Sequence, residues 1–208
     1  MSRQLIPIFP LSLVLLPGMP VPLRIFEERY KQMMNDIIPI HAEFGIVLAK
    51  EEGIVNIGCT ATVVDVLRKY PDGRLDLVAA GQRRFRIESL DEDKPYLRAE
   101  VEYFDDEDVN EAPLSLRLKA GKVYRQLFQV ERPDEQPESA EEVIRLSFRM
   151  GQLISDLNKR QTILSIRSET ERLEYLLKII PEYIVQKEQT ALAKRVGPQN
   201  GHAKHLKH

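Results

Sequence analysis

The chain holds few of the side chains that do chemistry near neutral pH: four histidines and one cysteine in 208 residues. His41 is the only histidine ahead of the carboxy-terminal tail, and no neighbour marks it as a general base. It reads as a surface-loop histidine. Cys59 lies in a run rich in Val and Thr, where a small buried side chain fits. A reactive thiol needs an electropositive, accessible setting instead. His202, His205 and His208 stand three apart, but a flexible tail fixes no coordination geometry and would hold a metal only weakly. No HExxH, CxxC, GxSxG or GxGxxG pattern occurs. The only Gly-Lys pair, Gly121-Lys122, has Leu116 where a phosphate loop needs Gly and Val123 where it needs Ser or Thr. Residues 105–111 (DDEDVNE) are acidic but lack the spaced oxygen ligands and Gly of a calcium loop, so they read as a solvated linker. No catalytic residue, cofactor or metal site is expected. One cluster remains: Arg83, Arg84 and Arg86 around Phe85, a basic-aromatic group of the kind that binds single-stranded nucleic acid.

The composition bounds the class. With 43% hydrophobic and 30% charged residues the chain matches ordinary soluble globular proteins, which excludes a disordered or membrane-spanning class. A net charge of −2 provides no global basic field for nucleic acid. The length allows one large domain or two small ones with a substantial core. Residues 1–18 are apolar, but Pro7, Pro10 and Pro17 argue against a helical signal segment, and no small-x-small cleavage site follows closely. No run approaches the roughly 18 apolar residues of a membrane span. A cytoplasmic protein with no membrane partner is expected.

The elements that must position any site are legible from period and turn chemistry. Residues 59–68 and 74–79 alternate apolar and polar types around Pro71-Asp72-Gly73. Proline presets φ, Asp bonds its own backbone and Gly supplies φ > 0, so this is a β-hairpin. Gly81 interrupts the second strand as a bulge or corner before alternation resumes at 84–87. Further strands are expected at 4–9, 44–49 and 96–104. Residues 11–23 carry Pro17, Pro20 and Pro22 and suit an edge strand or ordered loop, with a tight turn at Gly18. Residues 26–37 form a short helix ended by Pro39. Downstream the apolar period changes from two to 3.6. A helix over 112–130 should turn Leu114, Leu118, Val123 and Leu127 inward. Ser139 and Glu142 make a capping box before a helix with Val143, Leu146, Met150 and Ile154 on its apolar stripe. A short helical piece at 158–166 follows. Ser168 and Glu171 make a second box before a long helix that buries Leu173, Leu176, Leu177, Ile180 and Ile184, with Pro181 kinking or restarting it. The boundary falls in 105–111: a lobe over 1–108, a helical lobe over 109–196, and a patternless tail over 197–208 read as disordered.

Three separated segments carry a family resemblance. IGCTATVVDVLRKYPDGRLDLVAAGQRRFRI resembles the core of the Lon protease amino-terminal domain, which runs from Val-Gly-Thr-x-Ala through an Asp-Gly turn to Gly-x-x-Arg-Phe-Arg-Ile. PIFPLSLVLLPGMPVPLRIFEERYKQM is similar to that family's opening, and SETERLEYLL to its late helix. The resemblance spans residues 6–193 in order, with Cys59 standing where Thr is expected. It implies an α+β fold: a PUA-like β-barrel followed by a carboxy-terminal helical bundle. It also implies a stand-alone substrate-binding domain, without the family's ATPase and serine-lysine protease modules, and so not an enzyme.

The function implied is a non-catalytic module that binds unfolded or tagged polypeptides through an apolar groove, as an adaptor in protein quality control, with a separate protease or chaperone as partner. The candidate contact residues are Leu16, Met19, Phe26, Tyr30, Met33 and Met34, because Met suits a promiscuous surface. Phe26 and Met33 are the two expected in the core. The alternative is an RNA-binding PUA-like protein using the arginine cluster; the acidic balance weighs against it. A small-molecule enzyme at the barrel mouth is the third reading, and no acid-base pair supports it.

Overall fold

A computed structural model describes residues 4–108, 111–137 and 145–196 of the chain. The expected capping box of Ser139 and Glu142, with Val143, and the tail with its three histidines lie outside the described residues. The described elements make a mixed α/β fold of six strands and five α-helices. The strands are β1 (Gln4–Leu11), β2 (Pro20–Ile25), β3 (Phe44–Lys50), β4 (Gly53–Lys69), β5 (Leu75–Asp91) and β6 (Arg98–Phe104). The helices are α1 (Glu28–Ile37), α2 (Leu114–Glu131), α3 (Leu146–Gln152), α4 (Leu157–Ser165) and α5 (Glu169–Val196).

The sheet order is β2-β5-β4-β3-β1-β6, and β5 also pairs with β6. The pairings β5-β4-β3-β1-β6 therefore close into a ring. β1 and β3 are parallel and the other pairs antiparallel. The two long strands make closure possible. The first half of β5 pairs with β2 and its second half with β6, while β4 follows it from Leu75 to Arg86. Beyond the ring, β2, the start of β5 and the end of β4 form a three-stranded arm.

The hairpin between β4 and β5 has the turn its sequence dictates. Gly73 has φ 82°, its N–H donates to Tyr70 O at 3.0 Å, and the Asp72 carboxylate accepts from Arg74 N at 3.2 Å. The bulge at Gly81 is also present: Ala61 pairs with Gly81 but Cys59 with Arg84, so β5 carries one extra residue there. Gly81 is required for a second reason. The turn through Pro17 and Gly18 docks on it by two backbone hydrogen bonds, Gly18 N to Gly81 O at 2.9 Å and Gly81 N to Met19 O at 3.0 Å. A Cβ at 81 would lie 2.2 Å from Leu16 O.

One buried cluster runs from Phe9, Leu16, Met33 and Leu77 to Tyr124, Met150, Leu164 and Leu176, so sheet and helices share a core. A smaller cluster of Ile6, Ile8, Val47, Phe85, Ala99 and Val101 fills the ring. Ser168 caps α5, accepting from Glu171 N at 3.0 Å, and Pro181 lies inside that helix rather than ending it. Leu173, Leu176 and Ile180 are buried, and Leu177 and Ile184 pack at the margin.

The inward face of α2 corrects the sequence reading in part: Leu127 is buried and Val123 packs at the margin as expected, but Leu114 and Leu118 do not turn inward. Leu114 and Leu118 are 63% and 50% exposed, and the buried face is Ala120, Tyr124, Leu127 and Phe128. Six residues at 100° each put Leu114 and Leu118 about 120° round the helix from Ala120 and Tyr124. The two rings bring more apolar area than two leucines, so the aromatic face wins the core. Among the described residues, no helix is long and apolar enough to cross a membrane.

Candidate functional site

The acidic run after β6 is exposed at Asp105, Glu107, Asp108 and Glu111, as a solvated linker would be, but Asp106 within it turns inward, which corrects the sequence reading at that residue. Asp106 is the centre of a polar joint between sheet and helices. Arg84 on β5 is fully buried, and its Nη2 lies 2.5 Å from Asp106 Oδ1. Arg172 on α5, also buried, meets both Asp106 oxygens and donates to Glu169 Oε2 at 2.8 Å and Ser147 Oγ at 2.8 Å. Both guanidinium groups lie over the Phe148 ring. Burial works against the charged form of Asp106, but hydrogen bonds and charge from Arg172 and Arg84 outweigh it and hold its carboxyl below the usual range. Asp105 pairs with Arg145 at 2.8 Å and Glu107 with Arg167 at 3.1 Å.

This joint dismantles the basic-aromatic cluster. Arg84 is committed to Asp106, and Phe85 is buried in the ring core. Arg83 reaches the surface but pairs with Glu43 at 3.0 Å and lies over the Tyr103 ring. Arg86 is exposed, but with Phe85 buried this cluster offers bases no stacking platform, and the RNA-binding alternative is not supported. Cys59 is buried, and desolvation pushes its thiol up to about 12, which keeps it protonated. His41 sits at an exposed turn with φ 50°. Among the described residues no group of three or more His, Cys, Asp or Glu could hold a metal ion.

The six candidate contact residues separate. Leu16, Met33 and Met34 are fully buried and Tyr30 is 6% exposed, so these four are core and not contact surface. Leu16 wedges between Gly81 and Gly151, and the Met pair is the face that α1 lays on the sheet. Met19 is half-buried. Phe26, expected inside, is 60% exposed. The reason is the pleat of β2: Val21, Leu23 and Ile25 point inward, so Pro20, Pro22, Arg24 and then Phe26 face out.

Phe26 therefore continues the outer face of the arm. On that face Pro20 pairs across Ala80 to Thr62, and Pro22 across Val78 to Asp65. Beside them stand two residues that sequence reasoning missed, Val64 and Leu67, 65% and 62% exposed. Each is the extra residue of a β-bulge in β4, between Val63 and Asp65 and between Val66 and Arg68. The local signal was present. Strict alternation from Cys59 and Ala61 would bury Asp65, and the bulges turn Val66 inward instead.

The fold is thus a closed ring of strands with a projecting arm, joined to helices by a buried arginine–carboxylate network. The chain belongs to the family described as the ATP-dependent protease La (LON) substrate-binding domain, whose model matches residues 5–182. It is similar to the Lon N-terminal domain protein from Xanthomonas campestris, 26% identical with a TM-score of 0.69, over 85% of this chain and 98% of that one. It shares the fold of the N-terminal domain of Mycobacterium avium complex Lon protease, at 19% identity and a TM-score of 0.65 over 86% of this chain and 98% of that one. The Lon protease of Cytophaga hutchinsonii is 24% identical over 87% of this chain, and that of Anaeromyxobacter dehalogenans 27% identical over 88%. The matched parts are 24% and 23% of those proteases, so the chain spans about a quarter of their length.

Proposed function

We propose that this chain is a non-catalytic polypeptide-recognition module that holds unfolded or tagged proteins, and that it serves a separate protease or chaperone as an adaptor in the cytoplasm. The observation that carries the reading is the substrate-binding family match over residues 5–182. The closed ring of strands supports a PUA-like barrel, and the packing of α2, α3 and α4 with α5 or with each other supports a helical bundle against it. Of the six candidate contact residues, Phe26 and the half-buried Met19 remain available to a partner. An exposed aromatic ring brings a large apolar area at small entropic cost, the currency of promiscuous contact.

The test is dilution of a chemically denatured enzyme into buffer with and without the purified chain, followed by light scattering. Slower aggregation at near-stoichiometric ratios, without ATP, is the expected result. An unchanged scattering trace at excess chain would refute the reading.

A further inference from the structure

The three-stranded arm has two outer edges, and they are built differently. On β2, Pro20 and Pro22 lie in the exposed register and carry no N–H, so that edge cannot accept a further strand. On β4, pairing to β3 stops at Ala61, and no described strand flanks residues 62–69 on that side. That segment contains no proline and carries the two bulged residues, Val64 and Leu67, as its most exposed apolar side chains. An unpaired strand edge with exposed apolar groups is a template for extended backbone.

We infer that the outer face and free edge of β4, centred on Val64 and Leu67, take an extended apolar segment of an unfolded polypeptide. The inference rests on the polypeptide-binding reading above and gives it a place and a mode. Bulges decide the occupant. They break the regular ladder and increase local twist, so a second copy would have to match two rigid irregularities with its own. A flexible chain adapts to them. They also limit the ladder to a short stretch, which keeps binding weak and reversible. Charge sets a preference at the hairpin end. There Arg24, Lys31, Arg68, Lys69 and Arg74 gather with Glu28, Asp72 and Asp76, five cations against three carboxylates, net +2, while Asp65 lies further along the edge. Acidic residues flanking the apolar stretch are favoured.

The probe is a fluorescent peptide of alternating Val and Thr flanked by glutamates, read by anisotropy, beside a labelled unfolded protein. The Val64→Asp/Leu67→Asp variant should bind both about tenfold or more weakly with an unchanged melt, since both side chains are exposed. The milder Val64→Thr/Leu67→Gln variant should lose part of the binding and guards against misfolding of the first. Backbone N-methylation of the peptide should weaken binding, as should lysine flanks. Wild-type binding by both variants would overturn this surface while leaving the recognition function standing. Failure of the wild type to bind either probe would overturn both. Equal binding of the N-methylated peptide would overturn strand addition. A dimer in sedimentation that the aspartate variant abolishes would give the face to a second copy and overturn the inference.

Discussion

Arg172 grips Asp106 with two guanidinium nitrogens, each 2.5 Å from a different carboxylate oxygen. Arg84 reaches the same carboxylate from the sheet, so one aspartate ties β5 to α5. The two arginines are like charges in a buried site, and Asp106 with Glu169 offsets them. Joints of this kind contribute less by their attraction than they cost when broken, because the remaining charge is left buried and unpaired.

Asp106→Asn should therefore destabilise the protein by about 3–5 kcal/mol. Urea unfolding of variant and wild type measures this. A loss below about 1 kcal/mol would mean that water reaches Arg84 and Arg172 and screens them.

The same joint sets an acid limit. The folded carboxyl of Asp106 is held below its unfolded value of about 3.9, so its stabilisation is complete above that value. It is lost as pH falls through the folded value. Melting midpoints should drop steeply below about pH 4, and Asp106→Asn should flatten that drop. Parallel pH profiles for the two proteins would contradict the assignment.

Two glycines separate two kinds of strain. Gly73→Val forces a β-branched residue into φ 82° and should cost about 1–3 kcal/mol. Gly81→Ala meets the Leu16 carbonyl, which is backbone and cannot swing away, and should cost about 1–3 kcal/mol or more. Thermal melts of both variants decide the matter, and an unchanged midpoint for either would contradict its geometry.

Local chemistry made the strands and turns readable. Proline, Asp and Gly write the hairpin at 71–73 within three residues, and Ser168 with Glu171 announces α5. Contact surfaces depend on what lies opposite, which a single chain does not spell out. Met34 reads equally well as groove or core until α1 is laid on the sheet, whereas Met33 reads as core from the start. The role of Asp106 within the exposed acidic run is not legible locally because its partners are distant in sequence: Arg84 and Arg172 lie 22 and 66 residues from it. Phe26 was misplaced for a local reason, since the pleat of β2 runs on past Ile25 to the residues before α1. The exposed pair Val64 and Leu67 could have been found, because an aspartate in phase with buried positions signals a bulge.

The central claim is polypeptide binding through exposed apolar side chains, and a titration tests it most directly. A labelled, permanently unfolded protein is titrated with wild type and with Phe26→Asp at low and high salt, by anisotropy. The account predicts saturable binding with a Kd on the order of micromolar. It should change little with salt, because apolar burial is not screened as charges are, and it should weaken in the variant at an unchanged melt. Equal binding by both proteins, or binding that collapses as salt is raised, would contradict it.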